Sequence, residues 1–285
     1  SRIEPEEGRH DEAALNHYLA MFEELKKRGI KLCLTLHHFS HPQWFEEKGE
    51  FRKRENISFF LRHLEYLVPK IAQYVDLWNI FNEFNNGDSL ELYDRKTNCL
   101  IAHAKAAAII RAYSQAPVST AHAMTPYFPA NPDDEFDITR TRITNWVVND
   151  FFYHAVRTGE ILFPYRDAVE IPELKGACDF WAINYYTRHF VTARNASGTA
   201  KRYECHKIRP IRNDFYLEEF YPQALVDGLC RLKDLPVYIT ENGFCCDDDR
   251  LRILYIGRHL QALNEAMERG CDTVSYTHLT LPTKR

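Results

Sequence analysis

Apolar and polar positions along this chain follow two rhythms. Leu15, Tyr18, Leu19, Phe22 and Leu25 recur every three or four residues and Gly29 follows them, which predicts a helix over residues 11–28 closed by a glycine cap. Residues 31–38 then alternate with period two and predict a strand. The same succession continues as a helix over 54–74, a strand over 75–82, a helix over 98–113 and a strand over 117–122. Residues 123–139 carry no period and read as irregular. A helix over 143–158 follows, with Trp146, Phe151, Phe152 and Tyr153 on its aromatic face and Gly159 as its stop. Beyond it come a strand over 180–186, a polar hairpin-like excursion through Asn195, Ser197 and Gly198 to about residue 215, a helix over 222–233, a strand over 237–241 and a helix over 250–269.

Strand followed by helix, repeated without internal duplication or linker, is the pattern of an α/β fold with a parallel sheet. Five strands are clear, and the polar residues of interest stand at their carboxyl ends. A (β/α)8 barrel places its active site on that face. An open doubly wound sheet also binds ligands at strand ends, but it usually carries a glycine-rich phosphate loop, and none is present. The long stretches after His122 and Tyr186 suit a barrel that builds a pocket from its loops.

Composition narrows the function classes. With 285 residues, 45% of them hydrophobic, the chain can bury a large core. A formal charge of −4 gives no basic field for nucleic acid or an anionic membrane surface, so a neutral small molecule is the expected partner. No apolar run reaches membrane-spanning length, and residues at the start do not resemble a secretory leader. Eight scattered cysteines without a C-x-x-C pair predict a reducing, cytoplasmic setting, and no His or Cys spacing predicts a metal site. Oligomeric state is left open.

Two stretches carry the candidate chemistry. Trp78-Asn79-Ile80-Phe81-Asn82-Glu83 and Pro236-Val237-Tyr238-Ile239-Thr240-Glu241 are apolar runs that end in a carboxylate. An ionised Glu closing a buried strand costs roughly several kcal/mol unless it is paired or hydrogen-bonded. Two such acids meeting in one cavity, one protonated and one ionised, are the working parts of a glycosidase. The plainer reading, a salt-bridged strand end for either Glu, has about equal weight on pattern alone. Asn82 supplies an amide for a sugar hydroxyl, and Asn242-Gly243 permits a sharp turn after Glu241. His37 and His38 close another strand, where alternation lets at most one face a pocket. Asn184 and Tyr186 fall on one side of theirs, where a phenol can hydrogen-bond a carboxylate; a core role is equally open.

These residues resemble glycoside hydrolase family 1, the family of β-glucosidases and β-galactosidases. Phe81-Asn82-Glu83 is similar to its acid/base motif, and Ile239-Thr240-Glu241-Asn242-Gly243 to its nucleophile motif. The run from Asp179 to Thr187 resembles its sixth-strand segment, Thr35-Leu36-His37-His38-Phe39 with Pro42 its third-strand segment, and residues 1–8 the loop leaving its second strand. The resemblance implies a (β/α)8 barrel, retention of anomeric configuration, a β-glycoside substrate and no cofactor. It gives Glu83 the acid/base role and Glu241 the nucleophile role, with carboxyls about 5–5.5 Å apart. His38 and Asn82 would contact the sugar, and Tyr186, with Asn184, would orient Glu241.

The departures from the family pattern carry expectations of their own. The chain should lack the first strand, most of the second and the eighth, and so form an incomplete barrel over residues 1–272 that is inactive or aggregates on its own. Residues 273–285 depart from the family and read as a non-native tail. Phe84 stands where the family usually has Pro. A non-catalytic sugar-binding relative and a transglycosidase remain alternatives, and glucose, galactose and 6-phospho-sugars are not distinguished.

Overall fold

The computed structural model describes residues 2–193, 211–213 and 218–276. In chain order its elements are α1 (Glu12–Lys27), β1 (Cys33–His37), α2 (Gln43–Glu47), α3 (Ile57–Ile71), β2 (Leu77–Asn82), α4 (Leu92–Tyr113), β3 (Val118–Ala123), β4 (Tyr127–Pro129), α5 (Glu135–Asn145), α6 (Phe151–Thr158), β5 (Glu160–Ile161), β6 (Val169–Glu170), β7 (Trp181–Asn184), β8 (His189–Val191), α7 (Gln223–Leu229), β9 (Val237–Glu241), α8 (Asp249–Glu268) and β10 (Thr273–Tyr276). They group into two compact units, residues 1–121 with 152–179 and residues 122–151 with 180–285.

In the first unit, β1, β2 and β3 run parallel in that order, with His37 opposite Phe81 and Asn82 opposite Ala121. β2 is buried from Trp78 to Asn82, as expected of a parallel strand covered on both faces. The predicted helix over 11–28 is α1: Asp11 caps it by accepting the Ala14 N–H, Lys26 and Lys27 complement its C-terminal dipole, and Leu15 and Phe22 form its buried stripe. Phe51 centres an aromatic cluster, with ring centroids 5.2 Å from Phe45, 5.4 Å from Phe60 and 5.3 Å from Phe81. α4 starts at Leu92, six residues before the predicted 98. Its polar first turns hide the helical period, and Lys96 is buried there with its ammonium donating to the Gly87 carbonyl at 2.6 Å.

In the second unit, β7, β9 and β10 run parallel in that order. α5 begins at Glu135, inside the stretch that reads as irregular, because Asp134 caps it by accepting the Phe136 N–H. A π-helical turn over Trp146–Asp150 carries the chain on into α6. β4 and β8 add a small parallel pair. Most of the predicted hairpin-like excursion, residues 194–210 and 214–217, lies outside the described residues. Residues 273–276 open the stretch expected to be a non-native tail. They form β10, which pairs parallel with β9, and the Tyr276 hydroxyl donates to Asn242 Oδ1 at 2.8 Å. The β-branched Thr273-Val274 pair and half-buried Tyr276 suit a strand.

Candidate active site

The first group of predicted residues stands at the carboxyl ends of β1 and β2. Alternation along β1 separates the two histidines as the pattern requires. His37 is buried edge-on against Phe51 and Phe81, and burial pushes its pKa down to about 3, so it stays neutral. His38 is exposed, and its Nε2 lies 3.3 Å from the Asn82 Nδ2 that donates to it. Asn82 is itself buried, so the strand end fixes this pair.

Glu83 follows directly and breaks the strand. Its φ of 49° lies in the left-handed region, which a non-glycine residue adopts at a cost of roughly 1–3 kcal/mol and which is concentrated at working sites. Its N–H still donates to the Ala121 carbonyl at 2.8 Å, and its Oε2 accepts from Asn86 Nδ2 at 3.0 Å. Phe84 explains the departure from the family's Pro: it is buried, with its ring 5.7 Å from Phe81 and 5.9 Å from Phe152. The strained residue is therefore clamped on its far side by aromatic packing. Gly87, at φ +83°, turns the loop where a Cβ would come within 2.5 Å of Leu92 Cδ1, and Lys96 holds its carbonyl.

The second group stands at the ends of β7 and β9, where Asn184 is paired in register with Glu241. The Tyr186 hydroxyl donates to Glu241 Oε2 at 2.6 Å, a charge-assisted geometry. Asn184 Oδ1 accepts from the Thr240 hydroxyl at 2.6 Å, which steadies the residue before the carboxylate. Asn242, fully buried, donates to the Tyr185 carbonyl at 2.6 Å and to the Tyr255 hydroxyl at 3.2 Å, while its Oδ1 takes the Tyr276 hydroxyl. Burial raises the pKa of Tyr255 well above the ordinary phenol range and that of Tyr276 to about 12, so both remain donors.

Asn86, Thr240, Asn242 and Tyr276 were not among the predicted site residues. The sequence marks Asn242 as a turn former and places Tyr276 in the stretch expected to be a tail. Among the described residues, one group of His, Cys, Asp and Glu is close enough to share an ion, Glu4 with His10 and His63, and it contains no predicted site residue.

Comparison with known proteins places this architecture. The glycosyl hydrolase family 1 model matches residues 1–282. The chain is 26% identical to a 6-phospho-beta-galactosidase of Streptococcus mutans serotype c over 97% of its own length and 73% of that protein. It is 27% identical to a beta-galactosidase of Sulfolobus acidocaldarius over 94% of its length, spanning 61% of that relative. Among solved structures, a beta-glycosidase from Pyrococcus horikoshii aligns with TM-score 0.81 at 28% identity, covering 98% of this chain and 68% of that one. A family 1 beta-glucosidase from Thermotoga maritima aligns with TM-score 0.85 at 23% identity, covering 98% and 71%. The fold is therefore that of a (β/α)8 barrel in incomplete form. With its parallel strands, its carboxylates at strand ends and nearly its whole length matched, the chain belongs to glycosyl hydrolase family 1, a family of O-glycosyl hydrolases that act on β-glycosides.

Proposed function

We propose that this chain is the catalytic part of a retaining β-glycosidase in which Glu241 is the nucleophile and Glu83 the acid/base. In the first step the Glu241 carboxylate forms a bond to the anomeric carbon as the glycosidic C–O bond breaks, and the Glu83 carboxylic acid gives its proton to the departing oxygen. In the second step Glu83, now a carboxylate, takes a proton from water whose oxygen displaces Glu241 from the anomeric carbon, which regenerates both groups and releases the β-configured sugar. Tyr186 holds the Glu241 oxygen, and His38 with Asn82 bind sugar hydroxyls. The supporting observation is the 2.6 Å Tyr186–Glu241 hydrogen bond at the end of β9, which orients one carboxylate oxygen of an acid delivered by a parallel strand.

The relatives' printed names point to β-galactosides and 6-phospho-β-galactosides, with β-glucosides named for the solved structures, so these glycones form the substrate panel. In the full-length enzyme of which this chain is proposed to be part, replacing Glu241 by Ala should abolish turnover of a nitrophenyl β-glycoside. Azide should then restore part of it by entering the vacated space, with the α-glycosyl azide as product. Turnover unchanged in Glu241→Ala ends the assignment.

A further inference from the structure

The segment before α1 holds a carboxylate whose two oxygens are differently engaged. Glu4 is 2% exposed. Its Oε1 accepts from the Gly8 N–H at 2.8 Å and from Arg62 Nη2 at 3.3 Å. Its Oε2 faces two imidazoles instead, His63 Nδ1 at 2.8 Å and His10 Nε2 at 3.9 Å. Burial would raise the Glu4 pKa, but hydrogen bonds from His63 and Gly8 outweigh it and hold the carboxyl at about 2, fully ionised. Burial lowers the pKa of His10, which favours its neutral, ligating form. His10 Nε2 is buried without a hydrogen-bond partner, and the ring is fixed by stacking on Tyr66 at 3.5 Å between centroids and 9° between planes. A polar nitrogen held rigidly toward a carboxylate it does not reach is an uncompensated cost unless something lies between them.

We propose that Glu4, His10 and His63 form a binding site for a zinc-class divalent cation. One ligand atom from each of Glu4, His10 and His63 lies within 4.8 Å of the other two. A four-coordinate ion with bonds of about 2.0–2.1 Å spaces its ligands roughly 3.4 Å apart, and the 2.8 and 3.9 Å separations bracket that value. Two imidazoles and one carboxylate suit Zn²⁺ and its first-row neighbours and disfavour Ca²⁺ or Mg²⁺. Arg62 and the Gly8 N–H, both on Oε1, orient the carboxylate from behind and leave Oε2 for the ion. Arg62 also has Glu7 Oε1 at 3.7 Å, which shares its charge. The ion would tie the segment before α1 to α3, since His63 lies on that helix.

Calorimetric titration of the chain with ZnCl₂ at neutral pH, together with CoCl₂ titration read by visible absorption, tests the site. One equivalent should bind, Co²⁺ should develop the intense bands of a four-coordinate ion, and Zn²⁺ should raise the Tm. His10→Ala and His63→Ala should each weaken binding by about a hundredfold or more, the loss of a direct ligand exceeding that of an outer-shell partner. His41→Ala should leave affinity unchanged, although His41 and His37 lie 3.3 Å apart and line the same cavity as Glu4 and His63. Far-UV circular dichroism of each ion-free variant separates lost ligands from lost fold, and the Co²⁺ spectrum of the unaltered chain needs no variant. Weak, six-coordinate Co²⁺ bands, no binding by the unaltered chain, or binding that disappears only in His41→Ala overturns the site.

Discussion

At the level of single residues, both proposed catalytic acids sit at strand ends, but their surroundings differ in kind. Glu83 occupies a left-handed backbone conformation braced by Phe84, and Asn86 donates to its carboxylate. Glu241 continues a regular strand and is held by a phenol. Hydrogen bonds to a charged group are worth about 1.5–3 kcal/mol, so Tyr186→Phe should lower kcat/KM by roughly ten- to a hundredfold while leaving the Tm nearly unchanged. Steady-state kinetics on a nitrophenyl glycoside, with a thermal melt beside it, checks both halves; undiminished kcat/KM removes Tyr186 from the site. The positions of Glu83, Glu241, His38, Asn82 and Tyr186 at or just beyond strand ends were legible because strand patterns that end in polar residues are local signals, whereas their proposed roles rest on the family resemblance. The role of Asn86 was not, because it depends on the left-handed turn at Glu83, and nothing in an Asn-Asn-Gly stretch announces which side chain that turn brings back to the carboxylate.

At the level of elements, the strands and the strongly amphipathic helices followed from periodicity, and the misses have physical causes. The first turns of α4 and all of α5 are rich in polar residues, several of them buried through capping and side-chain hydrogen bonds, so no hydrophobic period marks them. β10 is the converse case: its local strand preference is clear, but its partner β9 lies more than thirty residues upstream. Its contribution is measurable. Asn242 links the ends of β7, β9, β10 and α8 through buried hydrogen bonds, so Tyr276→Phe should cost about 1 kcal/mol and Asn242→Ala, which strands several partners, on the order of 2–3 kcal/mol in urea unfolding. Equal stability of Tyr276→Phe and the parent chain would mean that β10 adds nothing to the fold.

For the molecule as a whole, stability and chemistry each make a separate demand. His37 and His103 in the first unit and His259 in the second are buried and neutral, with burial lowering their pKa values to about 3, 4 and 4 from an ordinary 6.5. The unfolded chain therefore binds protons that the folded chain refuses, so stability is full above about pH 6.5 and is lost as pH falls toward 4, by roughly 3 kcal/mol per histidine. Thermal melts across that range should show the decline beginning near the imidazole range, ahead of carboxylate titration; a Tm flat down to pH 4.5 would refute it. Among the described residues no helix is long and apolar enough to cross a membrane. The proposed double displacement passes through one chemical event, a covalent bond between sugar and enzyme. Incubation of the full-length enzyme with a 2-deoxy-2-fluoro-β-glycoside bearing a good leaving group, followed by mass spectrometry of the proteolysed protein, reads that event directly. The proposed mechanism predicts a glycosyl ester on Glu241; an ester on any other side chain, or release of α-configured sugar without an adduct, contradicts it.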